Sequence, residues 1–419
     1  MQRQPSDFLR GLALHVLPPV FRKAETSPCW QTQLVACLQW LCEFQVLACI
    51  PLDDAVPFKD VADICGVPEG QLFRVSRLMI TSGFLQEPQQ GHVAHSPLSA
   101  QFVTEPALLD AVMFLSGTAA PASLKMATAT RQYGASDRTD QSAYTVAFDT
   151  GVPIASVFEL QPRLQRQFGT YLESVTNGDQ AGTRDVLMRV DWGSLGNATV
   201  VDRNYNNSDH QSQVGAHSFA TAAGLVALFP TLQFIVQMYE APSTTTPSSS
   251  DLPRLPHLPA ALPPVPGIGY SDHNAKVTLQ KRSLGTSQPV RNAAIYILHL
   301  PSPTPSLKWS TIAIHATAEL TAHVDVLRAN PGSRLILTAL VLPPPGTVDV
   351  EVEATARLRD ISLLQLSNGR HAEKVEVVDL LNGIRDSSGG FVVTDEIRCP
   401  SSPFVALEIR YQSYDDLRR

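Results

Sequence analysis

The chain is poor in charged residues. Only 17% of its 419 residues are charged, and acidic residues exceed basic ones by 39 to 32. A net charge of −7 argues against a protein whose whole body coats nucleic acid or an anionic membrane. No apolar run approaches the roughly 20 residues of a membrane-spanning helix, and the first twenty residues do not form a signal peptide. With 44% hydrophobic residues, the composition indicates a globular protein of two or three domains.

Patterns that would hold a metal or a catalytic triad are also lacking. The six cysteines include no Cys-x-x-Cys pair, and no neighbouring histidines complete a zinc site. Four of them lie in an apolar helical region, where a free thiol packs as a small hydrophobe. This cysteine usage favours a reducing, intracellular setting. We therefore predict no metal site, and the scattered Ser, His and Asp residues show no triad spacing.

The N-terminal quarter of the chain has a helical pattern. Residues 1–30 are predicted to be a flexible arm, and Gln31–Ile50 an apolar helix that packs on other helices or on a second subunit. Two short helices follow, one from Pro57 to Gly66 and one from Pro68 to Gly83, because proline favours a helix start and glycine a helix end. Extended pieces at Phe84–Leu85 and His92–His95 complete a winged-helix pattern, so residues 31–105 form a predicted dimerisation domain.

The net charge of this domain bears on whether its winged helix binds DNA or packs against protein. Residues 31–105 contain three basic and eight acidic side chains, a net charge of −5. DNA affinity depends on cations that contact phosphates. Direct DNA binding is thus the weakest hypothesis, and we expect the domain to pack against protein.

The rest of the chain changes from a helical to an alternating pattern. Residues 106–190 are predicted to be a helical linker region, and residues 191–419 a doubly wound, mostly parallel α/β domain. Ala241–Asp272 is rich in Pro, Ser and Thr and is predicted to be a surface insertion. The predicted elements are strands at Asn197–Asp202, Leu232–Gln237, Lys276–Gln280, Ala294–Leu298 and Arg334–Leu340, with helices at Val214–Phe229 and Ala313–Arg328.

These elements together resemble fungal S-adenosylmethionine-dependent O-methyltransferases that have an N-terminal dimerising winged helix. The resemblance covers Gln31–Tyr411 and implies a Rossmann-like methyltransferase fold. It is carried by Val200–Asp202, Leu228–Gln237, Ala294–Leu298 and Arg359–Gly369.

The functional positions of that family are altered in this chain. The family's glycine-rich turn is replaced by Arg203, Asn204, Tyr205 and the polar residues that follow, and Arg203 and Tyr205 are predicted to occupy the cofactor volume. Met238 stands at the position of the acidic residue that holds the ribose, with Glu240 as a possible substitute.

The catalytic base of the family is also missing. Pro303-Thr304-Pro305 stands where the family has its catalytic histidine. His299 is a possible replacement, but a histidine at a strand end is more often structural. We predict no catalytic and no cofactor-binding residue, no cofactor, and no enzymatic activity.

A closer resemblance is to fungal transcriptional coactivators of the aflatoxin-pathway type. It is carried by Leu38–Asp53, Val56–Ile64, Gly91–Ser96, Gln101–Thr104, Pro162–Phe168 and Asn382–Ser387. The resemblance implies a catalytically inactive methyltransferase fold that assists a Zn₂Cys₆ transcription factor in activating a secondary-metabolite cluster.

Several expectations follow from this resemblance. The chain would act in the nucleus, with the cytoplasm as an alternative, would touch DNA only indirectly and would bind no membrane. A homodimer is expected through the helix around Leu38–Leu47, while the insertion Ala241–Asp272 and the crevice at the strand ends are candidates for the transcription-factor contact. The alternative function is an O-methyltransferase, or a methyltransferase-fold cyclase or pericyclase, that acts on a polyketide and relies on substrate orientation.

Overall fold

A computed structural model of the chain describes residues 28–176, 179–204, 214–239 and 276–415. Residues 1–27 of the predicted arm, Tyr205, Glu240 and the insertion Ala241–Asp272 lie outside the described residues, whereas residues 28–30 of the predicted arm begin the first helix. The helices are α1 Pro28–Glu43, α2 Phe58–Cys65, α3 Glu69–Thr81, α4 Pro97–Thr104, α5 Pro106–Phe114, α6 Ala120–Leu124, α7 Met126–Tyr133, α8 Ala143–Ala147, α9 Ile154–Leu160, α10 Pro162–Thr176, α11 Asp179–Leu187, α12 Val214–Leu228, α13 Trp309–Thr321, α14 Val324–Ala329, α15 Val350–Ser367 and α16 Lys374–Asn382. The strands are β1 Val56–Pro57, β2 Leu85–Gln86, β3 His92–His95, β4 Thr199–Asn204, β5 Gln233–Tyr239, β6 Val277–Arg282, β7 Ile295–His299, β8 Arg334–Leu340, β9 Gly389–Arg398 and β10 Phe404–Ser413.

The chain divides into two compact units. The first spans Met1–Gly182, Pro303–Trp309 and Leu342–His371. The second spans Thr183–Ser302, Ser310–Val341 and Ala372–Arg419. Neither unit is continuous in sequence, because the chain returns to the first unit after β8. Helix α15 thus belongs to the first unit, although the predicted range 191–419 had assigned it to the α/β domain.

The first unit begins with the helices and short strands expected from its proline and glycine positions. Gly66 ends α2 with a φ of 65°, a left-handed conformation that glycine adopts without a steric penalty. A small antiparallel sheet of order β1-β3-β2 follows the helices. The strand at Val56–Pro57 is an addition to the predicted pattern: it pairs with β3 and so connects the entry of α2 to the hairpin.

The apolar helix α1 is buried within its own unit. Leu34, Leu38 and Leu41 are at most 1% exposed and pack in one core with Leu72 and Phe114. The apolar stripe that was expected to form a homodimer is therefore already covered by residues of the same chain. Exposed apolar area remains at the end of this helix, where Phe44 is 43% exposed.

The stretch Pro106–Leu124 is more apolar than predicted, since no apolar run was expected to approach the length of a membrane-spanning helix. Among the described residues, Pro106–Leu124 is long and apolar enough to cross a membrane, judged by length and composition alone. It comprises α5, a π-helical turn at Leu115–Ala119 and α6. Its residues Leu108, Val112 and Phe114 lie in the core of the first unit, as expected of a core helix in a folded domain.

The second unit contains a seven-stranded sheet of order β6-β5-β4-β7-β8-β10-β9. The five strands from β6 to β8 are parallel, and β10 and β9 are antiparallel additions at one edge. The doubly wound prediction is thus confirmed, whereas the antiparallel pair was not predicted. The predicted helix 313–328 is two helices, α13 and α14, separated by a turn at His323.

Candidate functional site

The strand order reverses between β4 and β7, and folds of this kind place ligands beside the carboxyl ends of the strands at such a point. Asp202 and Arg203 lie just before Asn204, the last residue of β4, and both have 0% exposure. They are consecutive in a strand, so their side chains leave opposite faces of the sheet. A buried charge needs a partner, and each residue has a different one.

On one face, a row of three side chains crosses β4, β7 and β8. Asp202 Oδ1 lies 2.9 Å from His299 Nε2, and His299 Nδ1 lies 2.7 Å from Thr338 Oγ1. The three residues occupy neighbouring positions because the strands pair in parallel register. Asp202 Oδ2 is buried and has no hydrogen-bond partner among the described residues.

The geometry of His299 fits a structural role. A carboxylate only accepts hydrogen bonds, so Nε2 carries the proton that is donated to Asp202. The other ring nitrogen is engaged by Thr338, which is 2% exposed. A general base needs a free nitrogen within reach of the proton that it removes. His299 therefore has to break one of these hydrogen bonds before it can act on a substrate.

On the opposite face, Arg203 lies in a buried ionic cluster. Its guanidinium donates to the carbonyl oxygens of Met238 and Arg282 at 3.1 and 3.0 Å and to Glu319 Oε1 at 3.1 Å. The Arg203 side chain thus reaches the carboxyl ends of β5 and β6, on the sheet face opposite to Asp202, and its overlap with the cofactor volume stays a prediction. Arg203 thereby connects the carboxyl ends of three adjacent strands.

Glu319 of α13 is the centre of this cluster. Its carboxylate accepts hydrogen bonds from Arg203, from Arg282 Nη1 at 2.9 Å and from the Gly285 backbone N–H at 3.0 Å. Glu319 is 0% exposed and Arg282 4% exposed. Burial lowers the pKa of the Arg282 guanidinium. Two arginines around one carboxylate leave the ion-paired cluster with one formal positive charge.

A chain of amide groups extends the cluster. Gln237 and Gln288 pair reciprocally, at 2.8 and 3.1 Å, and Gln288 Nε2 also lies 2.9 Å from His323 Nε2. His323 Nδ1 lies 2.7 Å from the Glu319 carbonyl oxygen, which can only accept. The imidazole is thus held as the Nδ1–H tautomer, and burial lowers its pKa to about 4. Among the described residues, Arg203 Nε is the one buried side-chain nitrogen or oxygen of this network that has no hydrogen-bond partner.

The described residues at the strand ends do not fit the methyl donor. Met238, at the end of β5, offers a thioether where a carboxylate would hold the ribose hydroxyls, and a thioether is a weak acceptor. In the first unit, Thr304 and Leu307 exchange two backbone hydrogen bonds across a tight turn, and none of Pro303, Thr304 and Pro305 carries a titratable side chain. No group of three or more metal-ligating side chains exists within the described parts of the chain.

In the first unit, the α3 surface is a poor nucleic-acid interface. Arg77 forms an ion pair with Glu87, and its guanidinium lies 5.5 Å from the centre of the Phe73 ring. The centre of the Phe73 ring in turn lies 5.3 Å from the centre of the Phe58 ring. One of the three cations in residues 31–105 is therefore neutralised within the module, and the absence of direct DNA binding stays a prediction.

The sequence runs that resemble coactivators provide structural contacts. His95 lies between Ser99 Oγ at 2.9 Å and the Leu47 carbonyl oxygen at 3.0 Å, so it joins two of those runs. Burial lowers its pKa. Ser96 caps α4 and donates to the Phe84 carbonyl oxygen. In the second unit, Asp386 accepts from the Tyr411 hydroxyl at 2.6 Å and raises the pKa of that phenol, together with its burial, to about 12.

The buried network on the Arg203 face was not predicted from the sequence. Glu319, His323 and Gln288 are far from Arg203 along the chain and lie in segments without a recognisable motif. The signal that could have led to them is Arg203 itself, since a charged residue in an apolar strand requires a buried partner. Sequence alone does not say which of the 39 acidic residues supplies it.

Curated proteins similar to this chain are regulators of biosynthetic gene clusters. The dothistromin biosynthesis regulatory protein aflJ of Dothistroma septosporum is 45% identical over 413 residues, 98% of this chain and 85% of its own length. The aflatoxin cluster transcriptional coactivator aflS of Aspergillus parasiticus is 42% identical, over 99% of this chain and 87% of its own. The trypacidin cluster transcriptional coactivator tpcD of Aspergillus fumigatus is 46% identical, over 92% of this chain and 80% of its own length. No family model matches the chain.

Solved structures with a similar fold are of methyltransferase type. The riboflavin-analogue dimethyltransferase RosA from Streptomyces davawensis matches with a TM-score of 0.58 and 14% identity, over 91% of this chain and 96% of its own. LepI in complex with SAM matches with a TM-score of 0.56 and 15% identity, over 97% of this chain and 92% of its own. At such identity these structures show a shared fold and nothing about activity.

Proposed function

This chain belongs to the family of transcriptional coactivators of fungal secondary-metabolite clusters, and from that premise we propose that it works without catalysis, by binding a pathway-specific Zn₂Cys₆ transcription factor. Relatives over 40% identical along nearly the whole chain carry the coactivator function. The Zn₂Cys₆ class of the partner, the nucleus as the place of action and a homodimeric state are parts of this proposal that come from the resemblance of the sequence.

The observation that carries the non-catalytic part is the closed row of Asp202, His299 and Thr338. In this row both ring nitrogens of the one candidate base are engaged by side chains of the same sheet. Met238 in place of a ribose-binding carboxylate supports the same conclusion. The methyltransferase fold then serves as a stable scaffold, and the functional contacts are made by surfaces and not by a reaction centre.

Calorimetry tests the non-catalytic part of the proposal. The full-length purified chain is titrated with S-adenosylmethionine and then incubated with a pathway phenol. We expect no binding with a micromolar dissociation constant and no methyl transfer to the phenol. Micromolar binding together with turnover would overturn the proposal in favour of an O-methyltransferase, and turnover of a polyketide without the cofactor would favour a cyclase.

A substitution at His299 separates a structural from a proton-transferring role. His299→Gln keeps a side chain that can donate to Asp202 but removes the imidazole that a proton-transferring role would need. We expect transcripts of the cluster genes to stay normal at equal protein level. Loss of these transcripts at equal protein level would show that activation of the cluster genes needs the imidazole itself.

The partner is tested by co-precipitation. The full chain is mixed with the Zn₂Cys₆ regulator encoded in the same cluster, and with an unrelated Zn₂Cys₆ protein as control. Selective binding to the cluster regulator is expected. Absence of binding to that regulator would contradict the proposed partner class.

A further inference from the structure

The N-terminal module carries an exposed surface that combines acidic and apolar side chains. Asp53 and Asp54 lie exposed in the turn that leads into β1, and Asp60 and Asp63 lie exposed on α2. Leu52 in the same turn is 48% exposed, and Ile64 on α2 is 67% exposed. Asp60 and Ile64 are one helical turn apart and so share an outward strip of α2. We name these six residues, Leu52, Asp53, Asp54, Asp60, Asp63 and Ile64, the acidic face.

The acidic face does little for the stability of the module. No ion pair within the described residues involves its four aspartates, whereas Glu87 of the same module is paired with Arg77. Asp63 lies near the carboxyl end of α2, where the helix dipole disfavours a negative charge. Ile64 leaves most of its apolar area in water, although its neighbours Val61 and Ala62 are buried. Asp60 lies in the first turn of α2, where the helix dipole favours a negative charge, and Asp54 accepts a hydrogen bond from the Ala55 backbone N–H. The fold therefore accounts for Asp54 and Asp60 but gives no reason for Asp53, Asp63 and the exposed Ile64.

The charge of the face excludes two kinds of occupant. DNA is a polyanion, and Lys59 is the one basic residue between Leu52 and Ile64. A second copy of this chain would bring the same acidic face and a net charge of −7, and like charges brought together across an interface are repulsive. The face is complementary to a segment that carries lysine or arginine together with an apolar side chain.

We propose that the acidic face docks a basic, amphipathic segment of the DNA-binding transcription factor that the chain assists. A protein that neutralises DNA phosphates carries Lys and Arg clusters, so such a partner can supply the complementary charge. The aspartates steer the partner and set the register, while Leu52 and Ile64 supply apolar area that becomes buried in the complex. This inference rests on the proposed function, because it names where the coactivator meets its partner.

Charge reversal on the full chain tests the inference. The double variant Asp53→Lys/Asp63→Lys alters two face residues whose side chains form no ion pair within the part of the chain that the structure describes. The matched control is Glu159→Lys/Glu173→Lys, which changes the net charge equally at exposed helical positions of the same unit. Ile64→Ser is compared in the same way with Leu160→Ser, since Leu160 is 78% exposed. Thermal unfolding verifies that every variant is folded.

The measurement is the association rate with the full-length Zn₂Cys₆ regulator of the same cluster, at low and at physiological salt. We expect the face variant to associate about tenfold more slowly at low salt and to lose most of its salt dependence, since steering by charge is screened by ions. Ile64→Ser should raise the dissociation rate. The two control variants should bind like the unaltered chain.

The outcomes distinguish the inference from the proposed function. If the unaltered chain binds the regulator and the face variants bind equally well, the docking site is elsewhere and the inference is refuted, while the proposed function stands. If the unaltered chain does not bind the regulator at all, the proposed function fails and the inference fails with it. Salt-sensitive binding of the chain to DNA without the regulator would overturn the inference as well.

Discussion

Replacing Glu319 by glutamine should destabilise the second unit strongly. The carboxylate lies 3.1 Å from Arg203 Nη2 and 2.9 Å from Arg282 Nη1, and all three side chains are at most 4% exposed. At an effective dielectric of about 20, each of these contacts is worth about 5 kcal/mol of Coulomb energy, before the cost of removing the charges from water. Glu319→Gln keeps the shape of the side chain but leaves two arginines that face each other without a counter-charge.

The expected loss is about 3–5 kcal/mol of unfolding free energy, the usual effect of removing one partner from a buried ionic cluster. For a unit of this size, such a loss lowers the melting temperature by roughly 6–20 °C. Thermal and urea unfolding of the purified chain measure the effect. The exposed substitution Glu159→Gln is the control and should change stability by less than about 0.5 kcal/mol.

A triple variant tests the electrostatic reason. Arg203→Met/Arg282→Met/Glu319→Leu removes the whole cluster, so no buried charge is left without a partner. It should be more stable than Glu319→Gln alone by roughly 2 kcal/mol, because buried ionic clusters can be replaced by apolar side chains at little cost. A Glu319→Gln variant that melts like the unaltered chain would refute the reasoning, since the carboxylate could not then be the counter-charge of two buried arginines.

Two further predictions concern stability in the same unit. Burial lowers the pKa of His323 from 6.5 to about 4, so between these pH values the unfolded chain binds a proton that the folded chain does not. Stability should therefore fall by up to about 3 kcal/mol as the pH drops through this window, and urea unfolding at pH 7 and pH 4.5 should show a weaker pH effect in His323→Gln. Gly389→Ala should cost about 2–4 kcal/mol in urea unfolding, because a Cβ there would overlap the Gln412 carbonyl oxygen and the Tyr411 ring. Gly390→Ala should cost less than half as much, since its Cβ would approach the flexible Arg385 side chain at 2.9 Å; equal costs would contradict the steric explanation.

Local signals were sufficient to predict the elements that carry the fold. Gly66 ends α2, Pro57 precedes it, and the apolar runs in β7 and β8 indicate strands that are buried on both faces. These signals act within a few residues, so the sequence contains them directly. The absence of a glycine-rich turn after Asp202 and the Met at position 238 could likewise be recognised without coordinates.

The partners of the buried charges were decided by the tertiary structure. Arg203 meets Glu319 across 116 positions of sequence, and His299 meets Asp202 across 97. The face that each strand residue occupies follows from alternation, but its partner depends on which helix covers that face and in which register. For that reason the sequence did not indicate that Arg203 contacts Glu319 and the carbonyl oxygens of Met238 and Arg282. The same holds for α15, whose sequence does not indicate that the chain returns to the first unit to bury Leu366 there.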